Sequence, residues 1–360
     1  MFAVNGLLTR FSKRAKNSVA TVCLLGGITV LSGCFGKEFA KHEIPLPAEL
    51  VTQMAAIGVD QTSPIFIRIF KREAELEVWK RTSNGEQTLL KTYEICAWSG
   101  DLGPKFQEGD RQAPEGFYKV TPALMNPNSS FHLSFNLGFP NAYDRSHERT
   151  GSFLMVHGAC SSAGCYSMED AQIEEIYALA REAFKGGQKE FQVHAFPFRM
   201  TAENMAIFRN DEHTPFWRML KRGYEHFEVT RKEPKVDSCD GKYVFNANAV
   251  EEEAKFNAEL PCPEYTQPEL TKQLVDQKIA IDEVKESQIA QQWAENPKHH
   301  KYVELTERLK TERERIQRFT DRGLGFNSHQ KRRIQALETQ LANLGYTPPA
   351  PITSSAESSS

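Results

Sequence analysis

An apolar run, Phe153-Leu154-Met155-Val156, ends on His157-Gly158-Ala159-Cys160-Ser161-Ser162-Ala163-Gly164-Cys165-Tyr166. Four apolar residues in a row read as a buried strand, and the small residues that follow force a tight turn. The segment therefore delivers an imidazole and two thiols to one short stretch of chain. A cysteine nucleophile needs a base or cation to hold it as thiolate, and main-chain N–H groups to meet a developing oxyanion. Gly158 and Gly164 let the main chain come close to a substrate carbonyl. Two other readings fit the same residues. One is a disulfide between Cys160 and Cys165. The other is a zinc site on His157, Cys160 and Cys165, for which the segment offers no fourth ligand.

The segment resembles the signature of the L,D-transpeptidase catalytic domain, the YkuD-type family. That family carries a His-Gly and then a Ser-x-Gly-Cys whose Cys is the nucleophile; here these are His157-Gly158 and Ser162-Ala163-Gly164-Cys165. The fused form H-G-x-C-x-S-x-G-C is closer still to the YafK-like periplasmic branch. The resemblance extends through Glu108-Gly109-Asp110, Ala113-Pro114-Glu115-Gly116-Phe117-Tyr118 and the stretch from Asn136 to Asp144. It then reaches Val193-His194-Ala195-Phe196-Pro197-Phe198-Arg199-Met200.

The resemblance implies that Cys165 attacks a peptide-stem carbonyl of peptidoglycan and forms a thioester. His157 takes the thiol proton, and the N–H groups at Gly164-Cys165 meet the oxyanion. Ser162 bonds to His157 or to the turn. Passage of the acyl group to an amine is transpeptidation. Passage to water makes an L,D-endopeptidase or amidase, and the branch is linked to cleaving the bond between peptidoglycan and an attached lipoprotein. A non-catalytic peptidoglycan-binding scaffold is the reading from another class. No cofactor or metal is expected. Two departures matter. Ala163 stands where the family has a second His, and Tyr166-Ser167-Met168 follows where the family has an Arg. The family Arg holds a substrate carboxylate, and the planar fork of Arg199 is the candidate replacement, a structural ion pair being the alternative. Tyr166 and His194 are further candidate substrate contacts, although a His in an apolar strand also suits a core.

Arg10, Lys13, Arg14 and Lys16 precede an apolar run from Val19 to Val30 that is short for a bilayer span. It ends in Leu31-Ser32-Gly33-Cys34, which resembles a bacterial lipobox. The expectation is cleavage before Cys34, a lipid anchor on its thiol, and a periplasmic protein on the outer rather than the inner membrane. A simple secretory signal or an uncleaved anchor is the alternative. Of the 7 cysteines, Cys23 lies in the removed segment and Cys34 carries the lipid. The remainder, Cys96, Cys160, Cys165, Cys239 and Cys262, is odd in number, so at least one thiol stays free or pairs between chains. With Cys165 free, Cys239 with Cys262 brackets one polar segment, and Cys96 with Cys160 is the second pair. Four cysteines allow three connectivities, so this stays a hypothesis.

The net charge of −3 and the lack of a basic patch with interleaved aromatics argue against a nucleic-acid partner. The expected partners are peptidoglycan stems, the membrane through the lipid anchor, and a peptidoglycan-linked lipoprotein. The expected fold is α+β: a mostly antiparallel catalytic domain with flanking helices, plus a C-terminal helical or coiled-coil appendage. Alternation at Pro64 to Phe70 and Glu75 to Lys80, and a Ser83-Asn84-Gly85 turn before Gln87 to Trp98, predict a β-meander. A helix is expected from Ser167 or Met168 to Lys185, directly after Cys165, where its positive end would favour thiolate. Tyr302, Leu305, Leu309, Ile316 and Phe319, with the polar Glu312 filling one slot, then Ile334, Leu337, Leu341 and Leu344, repeat at three and four residues, interrupted near Gly323-Leu324-Gly325. This reads as a hairpin, a short coiled coil or a helix packed on the catalytic domain. The boundaries are 1–33 signal peptide, 34–60 tether, 61–230 catalytic domain, 231–265 connecting segment, 266–346 helical appendage and 347–360 disordered tail.

Overall fold

The structure, a computed structural model, describes residues 39–294, 296–321, 323 and 328–348. The signal-like segment, Cys34, Leu324-Gly325 and the end of the tail lie outside the described residues.

Two sheets make the mixed α+β body. The first has the order β3-β2-β1-β10-β5, formed by β1 (Ile65–Phe70), β2 (Glu75–Arg81), β3 (Gln87–Glu94), β5 (Gly116–Val120) and β10 (Phe191–Phe196). Only β1 and β10 run parallel, with Ile67 opposite Val193 and Arg68 opposite His194. The second sheet has the order β4-β9-β8-β7-β6 and is built from very short strands: β4 (Ala97–Trp98), β6 (Met125–Asn126), β7 (Ser134–Asn136), β8 (Met155–His157) and β9 (Tyr166–Ser167). β8 and β9 pair in parallel, Val156 opposite Tyr166 and His157 opposite Ser167.

Helix α1 (Ala48–Ala56) buries Leu50 and Met54, one turn apart. All six residues of β1 are buried, because both faces of the first sheet are covered. Ile65, Ile67 and Ile69 join the main core, and Phe66 packs with Trp79 and Phe227. Arg68 lies among those rings, 4.7 Å from the centroids of Tyr224 and Phe227, and pairs with Glu228 at 2.8 Å. α2 (Ala142–Ser146) opens on an Asn141–Asp144 capping box. α3 (Asp170–Lys185) turns Ile173, Ile176, Tyr177, Leu179, Ala180 and Ala183 inward, the helical spacing expected from sequence. Its start differs. The strand β9 separates Cys165 from the helix, because Tyr166 and Ser167 are drawn into pairing with Trp98 and Ala97. The helix N-terminus therefore does not adjoin the thiol.

After α4 (Ala202–Ile207) and α5 (Thr214–Thr230), two small hairpins follow, β11 (Val236–Cys239) with β12 (Lys242–Phe245) and β13 (Asn248–Ala249) with β14 (Tyr265–Thr266). The Cys239–Cys262 disulfide, Cα atoms 5.0 Å apart, staples this segment. Three helices close the described chain: α6 (Glu269–Ala294), α7 (Pro297–Asp321) and α8 (Ser328–Leu344). They pack on the body rather than projecting from it. Lys221 of α5 is buried and donates to Asp282 of α6 at 2.7 Å. Arg315 of α7 lies 3.7 Å from the centre of the Trp98 ring, and Arg333 of α8 pairs with Asp101 at 2.7 Å.

Candidate active site

The parallel pairing of β8 and β9 places His157 at the end of one strand and Cys165 just before the start of the other. Side chains alternate along a strand, so Met155 and His157 share one face of β8. Cys165 immediately precedes β9. Its Sγ accepts the N–H of Met155 at 3.4 Å and faces the carbonyl of Phe153 at 3.6 Å. Cys165 is half-buried and is the free cysteine among the described residues. Burial pushes its thiol above the ordinary range, against the Met155 N–H and the Lys105 charge, which both favour thiolate.

His157 is buried, and its Nδ1 lies 2.6 Å from the carbonyl of Gly158. A carbonyl only accepts, so Nδ1 carries the proton and Nε2 is left with its lone pair. Burial lowers the imidazole's affinity for a second proton, opposed by the Gly158 carbonyl. Phe131 supplies part of that burial, with its ring centre 4.8 Å from that of His157. Among the described residues no hydrogen bond joins His157 directly to Cys165.

The turn is held by Ser162 and by the helix behind it. Ser162 Oγ donates to the carbonyl of Cys165 at 2.7 Å and accepts the N–H groups of Gly164 and Cys165 at 3.4 and 3.2 Å. The two N–H groups expected to meet an oxyanion are thus bonded to Ser162 in this turn. Gly164 has φ +127°, a conformation that favours glycine, although a Cβ there would find room. Gly158 has the opposite need, since a Cβ would meet Asp170 Oδ1 at 2.6 Å. Asp170, the first residue of α3, accepts the N–H of Ala159 at 2.8 Å. Four non-glycine residues around the thiol, Arg111, Phe153, Ala159 and Cys160, hold positive φ.

Cys160 is bonded to Cys96, their Cα atoms 5.4 Å apart. That removes both the Cys160–Cys165 disulfide and the zinc reading, because a disulfide sulfur is no thiolate ligand. The three candidate substrate contacts have partners of their own within the fold. Arg199 donates through Nη2 to Glu75 at 2.5 Å and to Glu77 at 2.7 Å, an ion pair with two carboxylates of β2. Tyr166 is buried and donates its hydroxyl to Pro114 O at 2.6 Å. His194 is a core histidine between the rings of Phe66 and Phe117, with Nε2 2.9 Å from Gln192.

Residues with no role assigned from the sequence surround the turn. The loop from Gly103 to Gln112 packs over the turn. Asp110 folds it by accepting the N–H groups of Phe106 and Gln107 at 3.0 Å and of Gln112 at 2.9 Å, and it pairs with buried Lys105. The Cα of the exposed Arg111 lies 3.9 Å from where a Gly164 Cβ would be. Phe153 and Phe131 are 72% and 47% exposed, an apolar rim beside the thiol. Below, Lys71 donates to Gly103 O, Ala113 O and Glu115 at 3.0, 3.0 and 2.9 Å, and Trp217 donates to the same carboxylate at 2.8 Å. The Glu115 motif is thus a buried anchor for the loop.

No family model matches the chain. It is 46% identical over 183 residues to the "Putative L,D-transpeptidase YafK" of Escherichia coli (strain K12), a stretch covering 51% of this chain and 74% of that protein. The Escherichia coli O157:H7 protein gives the same figures. The chain is also similar to the helical cell shape determining protein Pgp2 from Campylobacter jejuni, at 17% identity and TM-score 0.30, covering 53% of this chain and 80% of that one. For Bdellovibrio bacteriovorus Bd1075 the identity is 17% and the TM-score 0.27, covering 47% and 61%. Structural likenesses of that size add nothing to the sequence match. With 46% identity over 183 residues that span three quarters of YafK, the chain belongs to the L,D-transpeptidase family, in the YafK branch.

Proposed function

We propose that the protein is a cysteine acyltransferase that remodels peptidoglycan peptide stems. The observation that carries the reading is the pairing of a half-buried free thiol, oriented by the Met155 N–H, with a neighbouring imidazole whose Nδ1–H is fixed on Gly158. Nε2 takes the thiol proton as Cys165 Sγ bonds to the stem carbonyl carbon. The leaving amine departs with a proton from the imidazolium, and a thioester remains. An incoming amine then displaces the thiolate, giving a transpeptide. The raised thiol pKa supports a proton that moves during the attack rather than before it. Arg111 takes the carboxylate-holding role first assigned to Arg199, supported by its exposure on the loop beside Gly164. Export and lipid attachment at Cys34, facing the periplasm from the outer membrane, complete the proposal and rest on the lipobox-like sequence. Membrane fractionation of a Cys34→Ala variant tests them.

The catalytic test is incubation of the chain with purified muropeptides and with lipoprotein-linked peptidoglycan, products read by mass spectrometry, with Cys165→Ala as control. Cross-linked or amino-acid-exchanged products that need Cys165 are expected. Cleavage without exchange assigns a hydrolase instead. No Cys165-dependent product from either substrate overturns the enzymatic reading in favour of a scaffold.

A further inference from the structure

Helix α6 has two unlike faces. One packs on the body, burying Val275, Asp282, Glu286 and Ala290. The other carries Leu270, Leu274, Ile281 and Val284, which are 70%, 41%, 56% and 59% exposed. Gln277 fills the middle of this series and is also exposed. The spacings are four, three, four and three residues, the 3.5-residue repeat of a coiled-coil seam. The seam is about 20 Å long at ~1.5 Å per residue. Scattered exposed aliphatics need no account, but four aligned in one seam mark a contact surface.

The flanks of the seam are unlike as well. On one side lie Gln273, Ala280 and Ser287, all neutral. On the other lie Lys278 and Lys285, each paired within its own chain, to Asp282 at 2.5 Å and to Glu203.

We propose that α6 is a self-association surface, on which two copies of the chain pack their seams in parallel and in register about a two-fold axis. In that arrangement every seam residue meets its own copy. Aliphatic faces aliphatic, and the two Gln277 amides face each other, each with a donor and an acceptor to offer. A shift of register would bury Gln277 against an aliphatic with no hydrogen-bond partner, which is costly. The flanks select the direction. Parallel packing sets each lysine flank against the partner's neutral flank, whereas antiparallel packing sets lysines against lysines.

Sedimentation equilibrium of the full chain in density-matched detergent tests the proposal. A reversible monomer–dimer equilibrium is expected, weakened about tenfold or more by Leu274→Lys with Ile281→Lys, since each change removes an aliphatic from the seam. Both positions are exposed, so the monomer fold is retained, which a thermal melt verifies. Independently, Gln277→Cys under mild oxidation is expected to give a disulfide-linked dimer that the unsubstituted chain does not give. A single-chain mass at every concentration overturns the proposal. So does a dimer that ignores the lysines and fails to cross-link at 277, because another face would then hold it.

Discussion

The main-chain N–H of Met155 points at the Sγ of Cys165, 3.4 Å away, across the parallel junction of β8 and β9. Through it the strand that carries His157 also orients the Cys165 thiol. The thiol and the imidazole are thus set by one piece of main-chain pairing rather than by a direct bond between them.

Burial outweighs the Met155 N–H and the Lys105 charge in setting the ionisation of Cys165, so the resting residue is a thiol. Alkylation by iodoacetamide should keep accelerating as pH rises through the ordinary thiol range. Lys105→Gln should displace the curve further upward, since a favourable charge is lost. Labelling of Cys165 followed by mass spectrometry against pH checks both, and a plateau near neutral pH would show a preformed thiolate and sink the first.

His157 acts as a base only when neutral, and burial holds its pKa below the ordinary 6.5. The acid limb of kcat/KM should therefore lie below that value. Phe131→Ala opens the ring to water, raises the imidazole pKa and moves the limb to higher pH. A pH–rate profile that is the same with and without Phe131 would count against His157 as the titrating base.

Ser162 Oγ gathers three main-chain bonds of the turn. Ser162→Ala should lower kcat about 10- to 100-fold and leave KM nearly unchanged, because the nucleophile is displaced while the substrate surface is not. Steady-state kinetics separates the two parameters; an unchanged kcat would reduce Ser162 to an ordinary turn residue.

Glu115→Ala should destabilise the fold by roughly 3–5 kcal/mol, since it leaves the Lys71 ammonium buried without its counter-charge. Glu115→Gln keeps an acceptor and should cost less. Denaturant titration measures both, and a loss under about 1 kcal/mol for the alanine variant would contradict the anchor role.

Arg333 donates to Gly100 O and pairs with Asp101, while Ser99 in the same loop reaches Ser162 at 3.2 Å. Arg333→Ala should raise amide exchange across residues 99–112 without changing it in β1 and β2. Exchange mass spectrometry gives the answer directly. Uniform protection in both chains would mean that α8 does not restrain the loop.

Much of the fold was legible where local pattern and long-range pairing agree. The alternation in β1 and β2 and the helical spacing inside α3 are strong periodic signals. The start of α3 was misread because β9 has two residues, too few for a period to register; its existence depends on Trp98, far upstream. In the site, His157 and Cys165 are legible because their chemistry and their turn lie in one segment. The partners of Arg199 were not legible, because Glu75 and Glu77, two residues apart and so on one face of β2, meet its guanidinium from across the chain. Nor was the bond of the Tyr166 hydroxyl to Pro114 O inside the core. Phe131, Lys105 and Arg111 carried no motif of their own, and only the folding of separate loops over the turn gathers them.

The Cys96–Cys160 disulfide has a further consequence for the lifetime of the Cys165 thiol. With Cys160 committed to Cys96, Cys165 has no resolving thiol among the described residues. A sulfenic acid formed on Cys165 would find no second thiol there to condense with. Its recovery would then rest on a reductant from outside or on the main-chain N–H of Met155 beside the sulfur.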